Sequence, residues 1–137
     1  MDIIRLTEGR ALIATGSPFD DVGFKGKAYR IAQCNNALVF PGIGLGVVAI
    51  GAKRFNDSML WAACKALANY CVQDDALLPS LNEAYSVSRQ VAFAVARQAI
   101  QEKVADSVDD IWHKIDHVIW KPKYYPYHHG QKSKKSS

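Results

Sequence analysis

Between Asn82 and Val104 the polar residues Ser86, Gln90, Arg97 and Gln101 keep to one narrow stripe. Val87, Ser88, Val91, Ala92, Val95, Ala96, Ala99 and Ile100 cover most of the remaining circumference. At 3.6 residues per turn this pattern is a helix with apolar surface on more than one side, and such a helix needs neighbours around it. The rest of the chain must therefore supply packing partners. With 137 residues, 49% hydrophobic and 22% charged, it has material for one ordinary globular domain at most. The helix is thus expected to carry more apolar surface than this chain easily covers.

Two further helices are legible. Asn56, Asp57 and Ser58 are good N-cap residues, and the segment after them aligns Leu60, Ala63, Cys64, Leu67, Tyr70 and Cys71 on one face. Val108, Ile111, Trp112, Ile115, Val118 and Ile119 follow the i, i+3, i+4, i+7 rule, with Asp109 and Asp110 favourably placed in the first turn. Before the helices, Ala11 to Ala14 is a short apolar run closed by Thr15-Gly16-Ser17-Pro18, the pattern of a buried strand entering a turn. Phe24 to Ile31 reads as a small hairpin turning at Gly26. One clear strand cannot form a parallel sheet by itself, so the layout reads as the back half of a larger α/β unit.

Charge excludes one class of partner. The formal net charge is +4, but the five lysines from Lys121 onward have no acids beside them. Taking those five from the 17 basic residues leaves 12 against 13 acids in residues 1–120. The body is nearly neutral and offers nucleic acid no basic face. The division is accordingly 1–120 as the folded part and 121–137 as a basic, Ser-rich, largely disordered tail. Three cysteines without a CxxC pair, after a Met1-Asp2 start, imply reduced thiols and a cytoplasmic location. The longest uncharged apolar run, Ala37 to Ala52, contains Pro41 and four glycines. It falls short of the roughly 20 residues a membrane span needs.

Several constellations imitate chemistry. Gly42-Ile43-Gly44-Leu45-Gly46 resembles a dinucleotide loop, but its third glycine comes one residue early for G-x-G-x-x-G and Pro41 interrupts the strand that should precede it. Glycines at 42 and 46 fit close helix packing better. His113 and His117 stand four apart near Asp109, Asp110 and Asp116, yet no third ligand has a defined spacing, and solvated residues are expected. Cys64 and Cys71 are expected in the core, and Cys34 has no neighbouring base to activate it.

Gln33-Cys34-Asn35-Asn36 differs in kind. One asparagine can cap the apolar helical run that follows. The second needs another reason. A carboxamide pair can hydrogen-bond a ligand amide and a carboxylate together without adding charge.

Leu6-Thr7-Glu8-Gly9-Arg10-Ala11, Ala14-Thr15-Gly16-Ser17-Pro18-Phe19, Gln33-Cys34-Asn35-Asn36 and Phe40-Pro41-Gly42-Ile43-Gly44-Leu45-Gly46, in this order and spacing, resemble the closing stretch of the malic enzyme NAD-binding domain. Asp57-Ser58-Met59-Leu60, Leu78-Pro79-Ser80-Leu81, and Trp120-Lys121-Pro122 with Tyr124 continue the likeness, which runs from about residue 5 to 127. The resemblance implies a partial Rossmann-like α/β NAD(P)-binding domain, one or two short strands followed by three to four helices. It implies that Asn35 and Asn36 contact the nicotinamide end of NAD or NADP, and that Asn36 also contacts the malate carboxylate. The Gly16-Ser17-Pro18-Phe19 turn would sit at the ligand-binding end of a strand. Cys34 departs from the glycine that many members carry.

The family reaction is oxidative decarboxylation of malate to pyruvate. Its proton-transferring Tyr and Lys, its ligands for Mg²⁺ or Mn²⁺ and its glycine fingerprint precede the matched region, so catalytic and metal residues in this chain are none. The chain alone is expected to be inactive, to self-associate, and to need a separately encoded N-terminal half as partner. The alternative is a non-catalytic interaction module, or a remnant of a split or truncated malic or malolactic enzyme gene.

Overall fold

A computed structural model describes residues 2–70, 76–121 and 123–127. A short helix α1 (Asp2–Leu6) is followed by four three-residue strands, β1 (Ile13–Thr15), β2 (Val22–Phe24), β3 (Lys27–Tyr29) and β4 (Ile31–Gln33). Four helices come next: α2 (Phe40–Ala49), α3 (Asp57–Tyr70), α4 (Ala84–Gln101) and α5 (Ile111–Val118). The chain is therefore mixed α/β, with short strands first and helices after.

The expected hairpin is β2 with β3, in register Val22↔Tyr29 and Phe24↔Lys27. It turns through Lys25 and Gly26 at φ 51 and 77, both left-handed. That is the two-residue turn whose twist matches antiparallel strands. Ile31 does not belong to the hairpin. It opens β4, which runs parallel to β1 in register Ile13↔Ile31, Ala14↔Ala32 and Thr15↔Gln33. The single clear strand expected from the sequence thus has a partner only 18 residues away.

The α4 helix is the axis of the helical part. Its inward positions are Val87, Ser88, Val91, Ala92, Val95, Ala96 and Ala99, all buried. Val87, Val91, Val95 and Ala99 meet Ile43 from α2 and Met59 and Ala63 from α3. Ala92 meets Ala49 and Ile115, bringing in α5, and Phe93 stacks on Trp112 with centroids 4.4 Å apart. Three helices of this same chain therefore cover the apolar face of α4, contrary to the expectation that it would outrun its partners. Uncovered apolar side chains include Phe40, Val48, Trp61 and Trp120.

Packing of α2 on α4 depends on two glycines. A Cβ on Gly42 would fall 2.8 Å from the Ser88 carbonyl oxygen, and one on Gly46 2.6 Å from that of Ala92. The glycine-rich run is therefore a helix with two small faces toward α4, as its spacing suggested. Pro41 sits in the first turn of α2, where the absent N–H is not needed.

Side chains cap the starts of α3 and α5. Asn56 Oδ1 accepts from the Met59 N–H at 3.1 Å, and Asp110 Oδ1 from the His113 N–H at 3.0 Å. Ser80 and Glu83 form a capping box ahead of α4. Two expectations are corrected here. The buried face of α3 is Met59 and Ala63 with Ala66 and Leu67 partly covered, while Leu60 and Cys64 are exposed. The last helix spans only Ile111–Val118, with Val108 ahead of it and Ile119 behind. Cys71 and the tail residues 128–137 lie outside the described residues.

Candidate functional site

Because β1 and β4 are parallel and in register, their C-terminal ends finish side by side at Thr15 and Gln33. In open α/β sheets this is the edge beyond which ligands bind. Two loops leave it. After β1 comes Gly16-Ser17-Pro18-Phe19, fully on the surface. After β4 comes Cys34-Asn35, leading into a 3-10 turn at Asn36–Leu38 and then α2.

Thr15 ties the two loops together. Its carbonyl oxygen accepts the Cys34 N–H at 2.8 Å, continuing the ladder one step beyond the strands. Its hydroxyl accepts the Ser17 N–H at 3.1 Å and donates to the Ser17 carbonyl at 2.8 Å, closing the first loop into a compact turn. The sequence marks Thr15 as opening a turn, and the structure adds that its hydroxyl closes it, a pattern that Thr two residues ahead of Ser signals.

The second loop is held from its far side. Asn35 has extended backbone (φ −127, ψ 134), and its side-chain oxygen accepts the Ala37 N–H at 2.9 Å, so it is the capping asparagine of the pair. Its amide NH₂ remains for other partners. Leu38, 1% exposed, anchors the turn in the core. Asn36 is exposed, and among the described residues its carboxamide has no hydrogen-bond partner, its backbone carbonyl alone accepting the Val39 N–H. The edge therefore presents an anchored amide donor, a second and unengaged carboxamide, and a turn of backbone groups. No carboxylate or cationic side chain belongs to either loop before Asp20. Such a donor set suits an uncharged amide or a carboxylate oxygen.

Family membership is decided by comparison: the family described as "Malic enzyme, NAD binding domain" matches residues 1–100. The chain belongs to that family. It is 51% identical over 132 residues to an NAD-dependent malic enzyme of Aliivibrio fischeri (strain ATCC 700601 / ES114), covering 92% of this chain and 24% of the relative. Likeness to NAD-dependent malic enzymes of Vibrio parahaemolyticus (50%, 92% and 24%) and Acinetobacter baylyi (48%, 92% and 23%) is similar. The chain spans about a quarter of the length of these curated relatives. Its α/β architecture is that of a partial Rossmann-like unit in this malic enzyme family.

The remaining candidate residues do not converge on this edge. Gly42 and Gly46 lie inside α2 against α4. His113 and His117 are exposed on α5 with near-parallel rings 6.5 Å apart. Among the described residues no group of three or more His, Cys, Asp or Glu side chains could hold a metal ion. Cys34 and Cys64 are free and exposed, which removes Cys64 from the core where the helical pattern had put it. No helix among the described residues is long and apolar enough to cross a membrane.

Proposed function

We propose that this chain supplies the nicotinamide-side edge of the NAD site in a malic enzyme that oxidatively decarboxylates malate to pyruvate. The observation that carries the reading is the pairing of Asn35 and Asn36 with the Thr15–Phe19 turn at the shared C-terminal end of two parallel strands. In this reading the capping Asn35 donates its NH₂ to the carboxamide of NAD or NADP. Asn36 bridges cofactor and malate carboxylate. Both orient neutral and anionic groups without placing charge beside the ring. Bound dinucleotide supplies the hydride acceptor, and these residues position substrate and cofactor for it.

The described residues offer no ligand set for a Mg²⁺ or Mn²⁺ ion. The proton-transfer groups and metal ligands belong, in this proposal, to a complementary part of the enzyme acting as partner. In this reading residues 1–120 are the NAD-domain portion and 121–137 a basic appendage to it, and the enzyme works in the cytoplasm.

The test is a chimera in which the matching quarter of the Aliivibrio fischeri enzyme is replaced by this chain. Asn36→Ala strands a buried polar partner once ligands are bound, which costs about 1–3 kcal/mol, or roughly 5- to 150-fold in kcat/KM. The melting temperature should stay unchanged, because Asn35 and not Asn36 makes the cap. Wild-type kinetics with a lowered melt would remove the pair from the site.

A further inference from the structure

On the opposite side of α4 from α2, the helices α3 and α4 leave a groove of about 740 Å³ between them. Its floor is made of small side chains, Ala62 and Ala66 from α3 and Ala94 from α4, which is why the helices leave depth there. Its walls are of another kind. Trp61 and Lys65 rise on one side, Phe93 and Arg97 on the other, with Asn69 and Gln90 beside them.

Three features distinguish this groove from a face awaiting a packed helix. Among the described residues no carboxylate lines it, although two cations do. Neither Lys65 nor Arg97 has a carboxylate partner among the described residues. Each cation instead lies over a ring one turn earlier on its own helix, Lys65 Nζ at 5.4 Å from the Trp61 centroid and the Arg97 guanidinium at 5.9 Å from Phe93. The rings thus hold both charges at the walls. Phe93 is itself fixed by its stack on Trp112, whereas Trp61 remains 61% exposed.

We propose that this groove is a second binding site, for a nucleoside phosphate, distinct from the strand edge. Trp61 is the platform on which the base stacks. The phosphate is taken between Lys65 and Arg97, the ammonium as a point charge and the guanidinium with two parallel N–H donors. Asn69 and Gln90 offer uncharged donors and acceptors to base edges or ribose hydroxyls. A phosphate suits this site better than a carboxylate because it has enough oxygens for cations approaching from two walls. The groove's volume is in the range of small-molecule sites and leaves room for one mononucleotide.

The experiment titrates the full chain with ADP by calorimetry, with adenosine and inorganic pyrophosphate as the two halves of the ligand. Saturable ADP binding is expected, tighter than either half alone. Lys65→Gln, Arg97→Gln and Trp61→Leu should each weaken it about tenfold or more while leaving the melting temperature in place, since all three side chains stand on the surface. Asn36→Ala should leave ADP binding untouched, so failure of the strand-edge reading would show separately. The proposal is overturned if ADP gives no saturable heat at millimolar concentration. It also fails if pyrophosphate binds as tightly as ADP, or if the groove variants bind ADP like the parent chain.

Discussion

Replacing Gly46 with alanine drives a methyl group into the seam between α2 and α4. The new carbon would lie 2.6 Å from the Ala92 carbonyl oxygen, 3.0 Å from Val95 Cβ and 3.1 Å from Ala92 Cα. Two of these three atoms are backbone and cannot swing aside. Ordinary contact begins at 3.4 Å, so the helices must part by roughly 0.8 Å along a close-packed interface. Overpacking of this kind costs about 1–3 kcal/mol, against which alanine returns up to about 1 kcal/mol of helix propensity. Gly44, in the same helix, has nothing within 4 Å of its hypothetical Cβ. Alanine there keeps the propensity gain of about 0.5–1 kcal/mol with nothing to oppose it. Thermal melts of the two variants should therefore fall on opposite sides of the parent, separated by roughly 6–10 °C for a chain of this size. If Gly46→Ala melts at or above Gly44→Ala, the glycine seam does not set the α2–α4 distance.

Other outcomes are as definite. Asp110→Ala removes the oxygen that accepts the His113 N–H at the start of α5, and urea titration should show a loss of about 1 kcal/mol that Asp110→Asn largely avoids. Hydrogen bonds from Ser58, Gln98 and Asn56, helped by the charge of Arg54, hold the Glu102 carboxyl below its ordinary value of 4.5. The folded state thus binds this proton more weakly than the unfolded chain. Its contribution to stability is present above 4.5 and lost as pH falls through the lowered folded value, and Glu102→Gln should flatten that part of the acid limb of a stability profile. The purified chain alone should give no malate-dependent reduction of NAD with Mn²⁺ present. Chelator-sensitive turnover above background would refute that assignment.

Long-range consequences were easiest to read where side chains are large and unambiguous. The buried stripe of α4 follows from Val87, Val91 and Val95 because no rotation of that helix hides more apolar surface. In α3 the expected stripe is right in part: Ala63 is buried and Leu67 and Tyr70 pack against the core, but Leu60 and Cys64 are exposed and Met59 takes the inward place. The face is turned toward Met59, Ala63 and Ala66 because the close-packed seam with α4 favours small side chains. Strand β4 was hidden for a different reason. Three residues between Arg30 and Cys34 have no periodicity of their own, and their extended form is decided by pairing with β1. The asparagine pair was legible as a pair, but which member caps depended on the dihedrals at Asn35.

Parallel strands are usually joined by a helix, whereas β1 and β4 are joined by residues 16–30, which carry only the β2–β3 hairpin. A shorter connection lowers the entropic cost of closure, by about 0.6 kcal/mol for each halving of its length. The strand pair can consequently zip up from nearby chain, with the Lys25-Gly26 turn as its local nucleus, before the distant helices have found one another. Residues 15–36 then behave as a cassette, both rims of the ligand edge being written into one stretch of 22 consecutive residues. Shuffling between relatives could exchange that edge whole, and a change of specificity would need no coordinated alteration in the helices that carry it.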